Sequence, residues 1–130
     1  YFAKHGEPQS IDELKNHCLI GFPPDVSAPF RSPNWIFDVA NVDTSRTHNI
    51  LMMNSMYAIQ KSVATGSGIA ILPDYLIAEN PEFKTIFPDL ESPTVDMYFV
   101  YAQERKDSQR IVAFRDFLLK SIKKTTFSID

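Results

Sequence analysis

Residues 50–73 read ILMMNSMYAIQKSVATGSGIAILP, and the alternation inside this stretch decides the fold. Ile50 to Met53 is a short apolar run that reads as a strand. Asn54 or Ser55 then caps a helix predicted to reach about Thr65. On it Met56, Ile59 and Val63 recur at three- and four-residue spacing and make one apolar face. Ala58 and Ala64 favour helix and permit close approach. Gly66 ends the helix, because glycine takes the left-handed position beyond a helix terminus without steric cost. Ile69 to Leu72 is the next strand. Pro73 suits the first turn of a short helix, where a missing amide is no loss.

The same alternation extends outward. Gly6 and Pro8 mark a loop, and Ser10 with Glu13 reads as a capping box opening a short helix whose Ile11 and Leu14 share a side. Cys18 to Phe22 is a buried strand stopped by Pro23-Pro24, which cannot supply ladder donors. Asp25 to Asn34 is loop, Trp35 to Val39 is predicted as a strand, and Asn41 to Thr47 is an exposed polar turn. Downstream, Phe83 to Phe87 is a fifth strand and Val95 to Ala102 a sixth, the clearest by its Val, Tyr and Phe content. A last helix is predicted from Ser108 to Ile122 along Ile111, Phe114, Leu118 and Ser121, with Lys120, Lys123 and Lys124 near its carboxyl end and a fraying tail after Thr125. Short, nearly all-apolar strands alternating with helices imply an α/β fold: a central mixed, mostly parallel sheet flanked by helices.

Composition narrows the function. The 130 residues suffice for one domain with a real core, and 44% apolar against 22% charged is not a disordered composition. Thirteen Lys and Arg against 16 Asp and Glu give a formal charge of -3, which excludes a generally basic nucleic-acid surface. One cysteine excludes an internal disulfide and fits a reducing compartment. The absence of an apolar run near 18 residues leaves no transmembrane helix to expect. A start at Tyr1 with no Met or signal-like segment suggests part of a longer protein.

Chemistry is sparse. His5, His17 and His48 show no metal-ligand spacing, and Cys18 reads as a small buried hydrophobe. No nucleophile elbow, P-loop, zinc-protease or zinc-deaminase motif is present, so no catalytic residue, metal or cofactor is expected. Two places remain. Asn54 and Ser55 lie between a strand and a helix, where free amides and the Ser55 hydroxyl either cap the helix or hold an anion. Gly66-Ser67-Gly68 follows a helix and precedes a strand, the reverse of a dinucleotide fingerprint, and reads first as a helix stop.

Taken in order, the pieces resemble the effector-binding part of LysR-type transcriptional regulators. They are Gly6-Glu7-Pro8, Ile11-Asp12-Glu13-Leu14, His17-Cys18-Leu19-Ile20, Trp35-Ile36-Phe37, Asn54-Ser55, Gly66 through Pro73, Asp96 through Tyr101, Ser108 through Ile111 and Phe114 through Leu118. The resemblance implies a subdomain like those of type 2 periplasmic binding proteins. Residues 1–103 would form the second effector-binding subdomain, and residues 104–130 a crossover turn and helix packing toward an absent first subdomain. A winged helix-turn-helix upstream would bind DNA, the whole protein would be a cytoplasmic homo-oligomer, and no membrane partner is expected. The pocket wall would include Ile20, Gly21, Asn54, Ser55, Gly66, Ser67, Gly68 and Ile69, and would take a small, anionic effector. This requires Asn54–Ser55 and the glycine turn to border one groove. A solute-binding component of a transporter, of the same architecture, is the alternative.

Overall fold

Leu19–Gly21 (β1) has a hydrogen-bonded neighbour along each edge. The computed structural model describes residues 1–25, 32–45, 49–96 and 98–124. In chain order the elements are α1 (Phe2–His5), a 3-10 helix (Ile11–Asn16), β1, α2 (Trp35–Val39), β2 (Ile50–Met52), α3 (Met56–Ala64), β3 (Ile69–Ala70), α4 (Asp74–Ala78), a second 3-10 helix (Gln103–Arg105) and α5 (Gln109–Lys124). β2 and β3 both pair with β1 in parallel, so Leu19 stands between Ile50 and Ile69, and Ile20 between Leu51 and Ala70. The strand order is β2-β1-β3. α3 is the crossover from β2 to β3, as parallel strands of one sheet require.

Side chains alternate across β1 and feed two cores. Leu19 packs with Leu14, Phe37 and Ala40, and the partly buried Ile50, Met52, Ile69, Ile86 and Phe87 close around them. Ile20 packs with Phe22 and Ile59, joined by Met53, Met56, Val63, Ala70 and Leu72. Thus α3 covers one face, while α2 and the first 3-10 helix cover the other. Burial on both faces is why β1 is apolar without alternation.

Several elements depart from the sequence reading. Trp35 to Val39 is helix rather than strand: Ile36, Phe37 and Ala40 need a three-to-four spacing to reach the Leu19 core, and a five-residue aromatic run does not distinguish the two periods. Phe83 to Phe87 is not a strand, since Phe87 takes a φ of +54° that ends any extended run while keeping its ring against the core. The strands at Cys18, Ile50 and Ile69 are confirmed but shorter at their ends. The capping box is shifted: Ser10 makes no side-chain cap bond, and the Glu13 carboxylate accepts instead from the Gln9 amide at 2.7 Å. Pro73 precedes α4 as its N-cap. Much of the loop after Asp25, the end of the turn near Thr47, and the tail after Lys124 lie outside the described residues.

Contacts divide the chain into Tyr1–Val95 and Asp96–Asp130. In the second unit α5 carries Phe114, whose ring meets Phe99 at 5.6 Å between centroids, and Phe99 in turn meets Tyr101 at 5.4 Å. Exposure alternates here as in a strand: Tyr98 and Val100 stand at 80% and 84%, Phe99 and Tyr101 at 37% and 38%. Yet no ladder forms among the described residues of 95–102, contrary to the sequence reading. Strand propensity supplies the side-chain pattern, but a strand needs a neighbour to bond with.

A central β1 and an edge β2 predict unequal costs for the same truncation. Leu19→Ala should lose about 2–5 kcal/mol, the range for a buried leucine. Leu51→Ala, at a residue 36% exposed, should lose under about 1 kcal/mol. Urea denaturation of the two variants checks this, and equal losses would contradict the assigned order.

Candidate functional site

Because all three strands run the same way, the sheet has two chemically distinct ends. At the carboxyl end lie Gly21 and Phe22 after β1, Met53, Asn54 and Ser55 after β2, and Leu72 and Pro73 beyond β3. At the amino end lie Cys18 and the Gly66–Gly68 turn. Ligands of open α/β sheets bind outside the carboxyl ends, where helices that cross back present free amides.

The carboxyl end is built as follows. The Gly21 carbonyl accepts from the Met53 amide at 2.8 Å, which holds the exits of β1 and β2 together. Ser55 is the N-cap of α3 with an extended backbone and no side-chain cap bond. Its carbonyl accepts from Ile59 at 3.0 Å, so the helix starts cleanly there. Asn54 and Ser55 are exposed, and among the described residues neither side chain has a hydrogen-bond partner. The first amides of α3, the Ser55 hydroxyl and the Asn54 carboxamide therefore form an uncommitted donor set. Asn34, which the sequence reading missed, reaches in from the start of α2. Its Oδ1 accepts from the Phe22 amide at 2.9 Å, and its Nδ2 donates to the Phe22 carbonyl at 2.7 Å. Stretches 21–25, 53–56 and 72–74 contain no lysine or arginine, only Asp25 and Asp74 as ionisable groups.

The amino end is closed. The Tyr1 hydroxyl accepts from the Cys18 amide at 2.9 Å and lies 3.2 Å from Nδ1 of His17, which is buried. The Tyr1 ring also stacks on His5 at 4.6 Å. Gly66 takes a φ of +72° as the helix stop requires, and a Cβ there would sit 3.5 Å from the Tyr1 nitrogen. A Cβ on Gly68 would meet the Cys18 carbonyl oxygen at 2.5 Å, so this glycine is needed for close approach of β3 to β1. Burial pushes the Cys18 thiol and the Tyr1 phenol above their usual values, the phenol's rise being partly offset by the Cys18 amide it accepts from.

The structure therefore separates the residues that the sequence reading grouped. Gly21, Asn54 and Ser55 come together, with Ile20 just behind them in the core. Gly66, Ser67, Gly68 and the start of β3 at Ile69 do not join them. The register sets Gly68 level with Cys18 and Asn54 level with residue 23. Five residues of strand at roughly 3.3 Å each put the two places about 16 Å apart along the strands. The nine-residue α3 spans the gap, at about 1.5 Å per residue. The expectation that both border one groove is corrected: a helix linking two parallel strands must start at one end of the sheet and stop at the other. A shallow depression between Phe37, Asp38, Asn41, Val42 and Asp43 lies elsewhere. The Asp43 carboxylate there already accepts from the Ser45 amide and hydroxyl, which hold it below the usual carboxylate range.

Comparison with known proteins gives this architecture a family. Residues 1–123 match the family model described as LysR substrate binding domain. The chain belongs to the LysR substrate-binding domain family. It is similar to the proteins named HTH-type transcriptional regulator CrgA from two strains of Neisseria meningitidis. Identity over 126 residues is 28% for serogroup C strain 8013 and 27% for serogroup B strain MC58. Each alignment takes in 94% of this chain and 41% of the relative, so the LysR-family chain spans under half the length of these regulators. No solved structure matches it significantly. Among the described residues no helix is long and apolar enough to cross a membrane.

The closed amino end predicts a pH response. Tyr1 and Cys18 hold their protons more tightly folded than unfolded, so the stability they contribute is complete below the ordinary thiol value and is lost as pH rises through it and beyond. Urea midpoints should fall between about pH 8 and pH 10.5, the span in which thiols and phenols ionise. The fall should be smaller in a Tyr1→Phe, Cys18→Ser double variant; an identical slope in that variant would contradict the assignment.

Proposed function

We propose that this chain is the effector-sensing module of a LysR-type transcriptional regulator, binding a small carboxylate at the carboxyl ends of its parallel strands. The observation that carries this reading is the uncommitted donor set at Asn54, Ser55 and the start of α3, at the end of the sheet where ligands of such folds bind. Gly21 and Phe22 form the adjoining wall. The glycine turn is left out of the site, as it packs against Tyr1 and Cys18 at the other end.

The donors are neutral, and the only charges in these stretches are acidic. A singly charged ligand with an apolar body suits such a wall better than a polyphosphate. Met53, Met56 and Leu72, partly buried beside it, supply adaptable apolar contact. Ligand binding is the whole duty of the module: it shifts the balance between conformations and catalyses nothing. The name shared by the two relatives, HTH-type transcriptional regulator, supports a DNA-binding regulator over a transporter component. On this reading an upstream winged helix-turn-helix binds DNA, a first subdomain supplies the opposite wall and covers the exposed aromatics of Asp96–Asp130, and the whole protein works as a cytoplasmic homo-oligomer.

Ser55→Asp separates ligand binding from helix stability. A carboxylate at the N-cap of α3 should stabilise the folded protein by about 0.3–1 kcal/mol. It should also weaken carboxylate binding by the full-length regulator at least about tenfold, through like-charge repulsion. Calorimetry over a panel of small carboxylates, with thermal denaturation alongside, measures both. Unchanged affinity for a carboxylate that binds the parent protein, or no binding of any carboxylate by the parent, would overturn the reading.

A further inference from the structure

β3 stops beside β1 earlier than β1 needs. The Ile69 amide donates to the Cys18 carbonyl at 2.8 Å, which fixes the donor for a β1 carbonyl as the β3 residue 51 positions later. Continued to the strand end, that spacing assigns the Phe22 carbonyl to the amide of residue 73. Residue 73 is proline and has no N–H. Phe22 is nonetheless buried, so its amide and carbonyl both need partners. The Asn34 side chain supplies them: one carboxamide gives the acceptor and the donor that β3 withholds. Gly21 makes room, because a Cβ there would lie 2.5 Å from Asn34 Oδ1 and 2.8 Å from the Phe37 ring.

We propose that Asn34 is a positioning residue of the ligand wall: a side-chain surrogate for β3, which stops at Ala70 and has no N–H to offer at Pro73, holding the ligand-facing end of β1 in register. The functional part of this inference rests on the reading of the strand ends as that wall. Its consequence for recognition is specific. With both polar groups of Phe22 engaged by Asn34, the wall offers a ligand no main-chain donor from the end of β1, and the polar contacts fall to the start of α3.

Hydrogen exchange on the full-length regulator tests it without a ligand. Pro23 and Pro24 carry no amide, so Phe22 is the last exchanging position in a peptide ending at residue 24. Asn34→Ala should speed Phe22 exchange about tenfold, the loss of roughly one buried hydrogen bond. Asn34→Asp gives the sharper reading. Protonated, its carboxyl has the same donor and acceptor as the carboxamide; ionised, it still accepts from the Phe22 amide but cannot donate to the Phe22 carbonyl, which it repels. The urea stability of that variant should therefore approach the parent's at low pH and fall below it at neutral pH, while its Phe22 amide stays better protected than in Asn34→Ala. Adding Pro73→Ala to Asn34→Ala, which restores a main-chain donor to the Phe22 carbonyl, should recover part of the lost stability. Unchanged Phe22 exchange in Asn34→Ala, or a stability deficit in Asn34→Asp that does not change with pH, as from a mere change of packing, would overturn the proposal. Neither outcome depends on carboxylate binding, which the Ser55→Asp calorimetry reads separately.

Discussion

The parallel pairing of β1 along both edges is the constraint from which the rest of this structure follows. A strand with two parallel neighbours has no solvent-facing edge, and here it has helices over both faces as well. Its side chains must therefore be apolar in succession, and each neighbour must be reached by a crossover. Most importantly, a sheet of like-directed strands has polarity. One end gathers strand exits and helix starts, and the other gathers helix stops and strand entries. Every residue of interest falls at one end or the other, and the register decides which.

The two ends are finished in opposite ways. At the entry end polar groups are consumed: Tyr1 takes the Cys18 amide, and Gly68 is stripped of any side chain so that β3 can approach β1. At the exit end the Phe22 groups are consumed by Asn34, but the Asn54 and Ser55 side chains are left exposed and uncommitted. Membership of the LysR substrate-binding domain family agrees with a ligand-binding role for the domain. The chain spans 41% of the length of the regulators it resembles, and in the proposed reading a first subdomain supplies the opposite wall of the cleft.

Much of this was legible in the residues. Met56, Ile59, Val63 and Gly66 define α3 and its stop without any coordinates, because helical spacing and a left-handed glycine are local signals. The apolar runs at Leu19, Ile50 and Ile69 were equally plain. What failed was non-local. Trp35 to Val39 has a composition that suits either period, and only the position of the Leu19 core makes it helix. Tyr98 to Tyr101 has the side-chain alternation of a strand and lacks the neighbour that would make it one. Of the candidate site, the helix start at Asn54–Ser55 was visible in the sequence, whereas the end of the sheet at which Gly66–Ile69 lies required the strand direction. For Asn34 the signal is Pro73, three residues past β3, which announces a missing donor. Which residue would replace it could come only from the fold.

The account stands or falls on which end of the sheet meets the ligand. Amide exchange in the full-length regulator, with and without a saturating small carboxylate that calorimetry shows to bind, decides it most directly. Slowed exchange at residues 50–58, with no change at residues 64–69, is the predicted result. Slowing at residues 64–69 with none at 50–58 would contradict it.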